Sequence, residues 1–319
     1  MNVETLFPVI GGATAVVGLT LWLRHCLREE VRWDYRQQAH LLILFLPVFI
    51  AGLVCWHLLE DGYLDGSHGW LTPSTALLNS VPFWFLIFTA VLNLVGSVGY
   101  AARHWYFARQ LWGCSRVDTS AARVQLAVDG LARLAKVDPP PVRRLLTRKP
   151  LAVVTGFHRP VLYLSSWYFE LSEAELASVL AHELAHIARR DNLTAAWATG
   201  SLLGCFYWPA GWQAFEQLMQ ERELAADELA AGLTGKPLRL AKVLIKADEA
   251  HRTVEAPVAC RFEAQGSIEK RVEQLIYLHQ RPLARSVMPF WQTAAVWLTV
   301  GFAAVLAADL IPHWLDTLQ

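Results

Sequence analysis

Four long apolar runs constrain this chain more than any other feature. Thr5–Leu23 holds no charged residue, Leu41–Leu59 is interrupted only by Pro47 and His57, and Val81–Ala102 and Ser286–Ala308 are similarly apolar. Each is long enough to cross the hydrocarbon core of a bilayer as a helix. Only a helix or a closed barrel satisfies its own backbone there, so four membrane-spanning helices are expected. Composition agrees. The 319 residues are 54% hydrophobic and 18% charged, with 14 Trp, against roughly 25% charged in a soluble domain. The first run is not a signal peptide, because Glu4 precedes it and its arginines follow it. The polar His57, Asn93 and Gln292 inside these runs read as helix–helix hydrogen bonders.

Basic residues give the orientation. Arg24, Arg28, Arg32 and Arg36 follow the first run, while Glu60–Ser80 carries no Lys or Arg. Arg103, Arg109 and Arg116 follow the third run, Arg281 and Arg285 precede the fourth, and Asp309–Gln319 has none. The positive-inside rule then puts both termini outside and residues 103–285 in the cytoplasm. The expected domains are 1–102 with three helices (about 5–23, 41–59 and 81–102), the cytoplasmic 103–285, and 286–319 with the fourth helix and a short external tail. A formal net charge of zero argues against direct nucleic-acid binding. The five Cys have no C-x-x-C spacing, so neither a disulfide framework nor a cysteine metal site is expected.

The chemistry of 103–285 is written in His182-Glu183-Leu184-Ala185-His186. On a helix, the i, i+4 spacing stacks both imidazoles on one face. Two such nitrogens can ligate one tetrahedral Zn²⁺, and Glu183 between them can take a proton from the attacking water. By itself the match also fits a surface helix with two solvated histidines. A catalytic zinc needs a third protein ligand, and Glu223 supplies a candidate within Glu223-Leu224-Ala225-Ala226-Asp227. Asp227, one turn on, could orient a ligand imidazole from outside the metal shell. Alone, these acids would read as a solvated helix face.

Around the motif a small α+β framework is expected. Thr119–Lys136 has helical periodicity through Val124, Leu126, Leu131 and Leu134, and Pro139-Pro140-Pro141 follow it. Val142–Thr147, Leu151–Val154 and Val161–Leu164 read as strands, with a turn at Gly156. Ser172 and Glu175 form a capping-box signature ahead of the motif helix. A strand before such a helix either rims the cleft, where an extended peptide pairs by strand addition, or merely closes the sheet. Leu193–Trp212 is apolar too, but a single crossing there would separate His182 and His186 from Glu223. It is therefore expected to be a membrane-associated segment, about 193–212, that is re-entrant, interfacial or buried, and broken near Trp208-Pro209.

Read together, these stretches resemble a known family. Gly156–Leu164, Leu171–Leu176, Val179–Ile187 with Arg189-Arg190-Asp191-Asn192, the aromatic Phe206–Trp212 and the Glu223–Asp227 box are similar to the BlaR/MecR membrane metallopeptidases. The Arg-Arg-Asp-Asn continuation is the most specific part. HtpX and the prenyl-processing proteases share H-E-x-x-H and E-x-x-A-D but usually not that continuation. The resemblance implies an α-helical membrane protein with four transmembrane helices and a cytoplasmic α+β gluzincin-type zinc metallopeptidase domain, in a bacterial inner membrane. It implies His182, His186 and Glu223 as Zn²⁺ ligands, Glu183 as general base and acid, and Asp227 behind a ligand. Family members inactivate a cytoplasmic repressor when an external domain binds a β-lactam.

Two departures bear on the carry-over. Only a short tail follows the fourth run, so sensing is expected from the 60–80 loop, the membrane or a separate partner, or there is none. HtpX-like relatives often carry a His-Pro pair ahead of a late Arg. Here Gly266–Val272 keeps Arg271 without the His, so Arg271 could stabilise the oxyanion or serve in a structural ion pair. Arg159 is a second candidate donor, and His158 reads as part of a turn. The sequence is compatible with three functions: a signalling protease acting on a protein such as a DNA-binding repressor, an HtpX-like quality-control protease, and a signalling protein with structural zinc. Glu183 weighs against the last, since a structural site has no use for it.

Overall fold

In the computed structural model, residues 81–252 and 258–280 are described, together with residue 40. The expected spans at 5–23, 41–59 and 286–308, and with them His57 and Gln292, lie outside the described residues. The chain divides into two units, one of residues 1–96, 198–218 and 286–319 and one of residues 97–197 and 219–285. Chain order runs α1 (Val81–Cys114), β1 (Ser115–Arg116), α2 (Thr119–Ala135), β2 (Val142–Leu145), β3 (Ala152–Thr155), β4 (Val161–Ser165) and a 3-10 turn (Ser166–Glu170). It continues with α3 (Glu173–Arg189), α4 (Asp191–Gly204), α5 (Pro209–Thr234), α6 (Pro237–Arg252) and α7 (Val258–Gln280).

Among the described residues no helix is long and apolar enough to cross a membrane. The expected third span, Val81–Ala102, is the start of α1, where the side chains of 81–83, 85 and 86 lie outside the description. Trp84, Phe88, Val91, Leu94, Val95 and Val98 of α1 are all exposed.

In the first unit, helices approach closely through small residues. A Cβ on Gly96 would stand 2.9 Å from the Gly200 Cα, so only glycine lets these backbones meet. Asn93 Nδ2 donates to Ser201 Oγ at 3.2 Å, the helix–helix bond expected of a lone polar residue in an apolar run. The segment 193–212 is neither one helix nor wholly buried. α4 stops at Gly204, and Pro209 starts α5 where its missing N–H costs nothing. Trp197, Phe206 and Trp212 are exposed.

In the second unit, a four-stranded sheet in the order β1-β2-β4-β3 packs against α2 and α3. β2 runs parallel to β4, and β3 pairs antiparallel with β4 and forms one edge. Val128 and Ala132 of α2, Leu162 and Leu164 of β4, and Leu180 and Leu184 of α3 are fully buried in this core. Each such leucine contributes about 1.5–3 kcal/mol. The face α2 buries is Ala121, Val124, Val128 and Ala132. Leu126 and Leu134, apolar positions of the same helix, are exposed. At 100° per residue they fall away from the stripe through Val124 and Val128, and the alanines between admit close packing. A second core joins Ala181 of α3 to α5, α6 and α7 through Ala230, Leu240 and Leu275.

α3 thus has both flanks buried and is pinned at its start. Ser172 and Glu175 complete the capping box, and Lys246 of α6 donates to Glu175 Oε1 at 2.6 Å. The Lys246 hydrogen bond, followed by those from Ser172, holds the Glu175 carboxyl down at about 2. Its stabilising contribution is present above the ordinary carboxylate range and is lost as pH falls from about 4.5 towards 2. Acid unfolding of Glu175→Gln should therefore begin from a less stable protein and be flatter across that window; a profile identical to wild type would exclude the clamp.

Candidate metal centre

The site begins with α3, whose i, i+4 spacing brings His182 Nε2 and His186 Nε2 to 3.1 Å. α5 returns the chain so that Glu223 Oε2 lies 3.6 Å from His182 Nε2 and 3.7 Å from His186 Nε2. These three atoms form a compact triangle. Ligand atoms around a tetrahedral zinc stand roughly 3.3 Å apart, so the edges suit a small divalent cation.

The donor chemistry makes the same case. His186 Nδ1 is 2.7 Å from Asp191 Oδ2. His182 Nδ1 is 2.8 Å from Asp227 Oδ1, an ion-pair distance whose angle falls short of a straight hydrogen bond. Carboxylates facing both Nδ1 atoms favour a proton there and leave each Nε2 with a lone pair. Two lone pairs and a carboxylate oxygen then converge, which repels unless a cation joins them. Without a metal, a proton is the cation that takes that place: burial works against charge on His182, yet Asp227 and Glu223 carry its pKa up to about 9. Burial likewise opposes ionisation of Glu223, but His182, His186 and Arg271 hold it well below the usual range.

Arg271 of α7 reaches Asp227 through two bonds, Nε to Oδ2 at 2.7 Å and Nη2 to Oδ1 at 2.8 Å. Its Nη1 is 3.5 Å from Glu223 Oε2. Of the two roles read from sequence, this geometry is that of an ion pair behind His182. Arg222 donates to Glu223 Oε1 at 3.1 Å, which leaves Oε2 facing the histidines.

A cavity of about 310 Å³ opens beside the triangle. Glu183, Tyr168, Arg222 and Arg271 line it, along with Ala152–Val154 of β3 and Val243, Leu244 and Ala247 of α6. Glu183 is buried there. Burial, with the nearby Glu183 charge, pushes the Tyr168 phenol up and keeps it an O–H donor. Arg159 and His158 are not among the lining residues. Instead the Arg159 carbonyl closes the turn at Gly156, whose φ of +99° and lack of room for a Cβ require glycine.

Sequence reasoning missed Asp191 as a partner of His186. Arg190 ends α3 at a φ of 55°, and its N–H bonds back to His186 and Ile187 carbonyls. That left-handed residue turns the chain so that Asp191 comes back onto His186. The signal available was an Asp just past the end of the motif helix, within the run Arg189–Asn192. Tyr168 and Arg222 had no comparable signal.

Residues 147–276 match the family model described as BlaR1 peptidase M56. That segment holds the two histidines, Glu183, Glu223, Asp227 and Arg271. The chain is also similar to a Protease HtpX homolog of Acidiphilium cryptum, 29% identical over 61% of this chain and 82% of the relative. A Protease HtpX homolog of Pyrococcus abyssi is 26% identical over 74% of this chain and 82% of the relative. Protease HtpX homolog 2 of Methanosarcina mazei is 27% identical over 57% and 77%. The peptidase character expected from the motif is thus shared by the family model and the relatives. The antirepressor subtype finds no counterpart among the relatives' names, which favour the HtpX alternative.

Proposed function

We propose that this chain is a membrane-anchored zinc endopeptidase of the HtpX type, cutting extended protein segments on the cytoplasmic side. The observation that carries it is the convergence of His182, His186 and Glu223 beside a buried Glu183, in a cavity bordered by an open sheet edge. Two imidazoles and one carboxylate are a donor set of catalytic zinc sites, which keep a further position for substrate or water. When bound, zinc supplies Lewis acidity to the scissile carbonyl and to the attacking water.

The chain's own residues do the rest. His182 and His186 are oriented by Asp227 and Asp191, and Glu223 is steered by Arg222. Glu183 accepts a proton from the attacking water on its carboxylate and passes it to the leaving amine. An extended peptide pairs with the free edge of β3, which aligns its backbone across the cavity. The apolar runs and exposed α1 residues support attachment to the bilayer, and the basic loops support a cytoplasmic site.

A second reading is favoured by the BlaR1 family match. In it the same chemistry inactivates a cytoplasmic DNA-binding repressor, with a separate partner supplying the signal. New protein N-termini in cells carrying wild type or Glu183→Gln distinguish these readings. Wild-type-only cuts spread over membrane proteins are expected for the first. One or a few cuts confined to a cytosolic DNA-binding protein would replace it with the second, and no difference under any stress would sink constitutive proteolysis.

A further inference from the structure

The open edge of β3 is closed at one end by two side chains that the chemistry above does not use. Ser165 N–H donates to Leu151 O at 2.8 Å, which makes Leu151–Ser165 a hydrogen-bonded pair across β3 and β4. Alternation along the antiparallel register puts Val153–Tyr163 and Thr155–Val161 in the same class. The N–H and C=O groups of Ala152, Val154 and Gly156 therefore point away from β4, to the open edge. Asn192 Nδ2 donates to Val154 O at 3.3 Å and to Gly156 O at 3.2 Å. Gly156 N–H donates to His104 Nε2 at 2.9 Å. What stays open is Ala152 with both its groups and the N–H of Val154, and both residues line the cavity.

We propose that His104 and Asn192 are positioning residues that terminate the substrate-binding edge, so that a peptide strand pairs at Ala152–Val154 in a single register. Register decides which bond of the peptide lies over the metal centre, because β pairing can slip only in discrete steps. Asn192 is joined directly to Asp191, which holds His186. Adjacent residues thus tie the end of the strand and a metal ligand to one turn, fixing the distance between them. This gives the Arg189–Asn192 run a physical task.

His104 suits its part. Its ring stacks with Tyr100 at 6.1 Å and tilts against Phe157 at 5.1 Å. Burial lowers its pKa, which keeps Nε2 an acceptor at neutral pH. The Gly156 turn it holds has no room to relax through a side chain. Recognition at these rungs is by backbone, so the substrate class is an extended, unstructured segment with a free N–H opposite Ala152.

The inference rests on the peptidase reading, and the test separates the two. Full-length protein with zinc is incubated in detergent micelles with the oxidised B chain of insulin, and products are mapped by mass spectrometry. Wild type should give a narrow set of cuts. Asn192→Ala and His104→Phe should add cuts displaced by about two residues, the strand repeat. Total kcat should change little and KM should not rise, because freeing Val154 O, Gly156 O and the Gly156 N–H adds pairing groups to the edge and removes none. His104→Gln, which restores an acceptor without the ring, should return the wild-type pattern. Hydrogen exchange supplies a readout free of turnover: the Gly156 amide should lose protection in His104→Phe while the α3 amides keep theirs. An unchanged product map, or an unchanged Gly156 amide, would overturn the inference while the peptidase reading stands. A wild-type protein that cuts nothing would overturn both.

Discussion

Replacing Glu183 with Gln should lower kcat by about a hundredfold to ten-thousandfold while leaving zinc content per chain unchanged. Glu183 is buried on α3 between the two histidines and lines the cavity with Tyr168 and Arg271. Glutamine has nearly the same shape and keeps the packing, but its amide cannot accept the proton. It also leaves His182, His186 and Glu223 untouched, so the triangle survives. His182→Ala is the contrasting variant, since it removes one corner and should empty the centre. Steady-state kinetics beside elemental analysis checks both. Full turnover by Glu183→Gln would remove Glu183 from the reaction, and full zinc in His182→Ala would remove the triangle.

The second large effect is on stability. Arg271→Met should cost about 3–5 kcal/mol, because it leaves the buried Asp227 carboxylate without its guanidinium and with only the His182 imidazole beside it. Asp227 is fully buried and Arg271 nearly so, and the pair is joined through two bonds. Burial pushes the Asp227 pKa up, but the charge and bonds of Arg271, with His182, outweigh it and hold the group low. The contribution of Asp227 is therefore present above the ordinary carboxylate pKa and fades as pH falls below it. Thermal unfolding of the metal-free protein near neutral pH should show a loss on the order of 10 °C. Arg271→Lys should recover part of it, keeping charge but not the fork. An unchanged melting temperature with a lowered kcat would instead return Arg271 to the role of oxyanion donor.

Much of the site was legible because its information is local. The i, i+4 pair of histidines, Glu183 between them and the i, i+4 spacing of Glu223 and Asp227 are properties of single helices. The capping box at Ser172 and Glu175 and the turn at Gly156 are equally local, and each forms as read. Three of the four strands agree with the sequence within a residue or two, since apolar residues and flanking turns mark them, whereas the two-residue β1 carries no such signal. α2 forms over Thr119–Ala135, as its periodicity predicts, and which of its apolar positions are buried is set by packing: Ala121, Val124, Val128 and Ala132 make the face.

What the sequence determined by itself is the set of groups able to meet a metal, and the helices that carry them. Spacing along one helix is fixed by backbone geometry, so no partner is needed to read it. Tertiary structure alone decided how those helices face one another. It brought Glu223 to the histidines, committed Arg271 to Asp227, and turned Asp191 back onto His186 through the left-handed Arg190. It also placed His104 and Asn192, 88 residues apart in the numbering, on the same Gly156. Such pairings depend on long-range packing of helices and strands, and the linear order of residues holds no local signal for them.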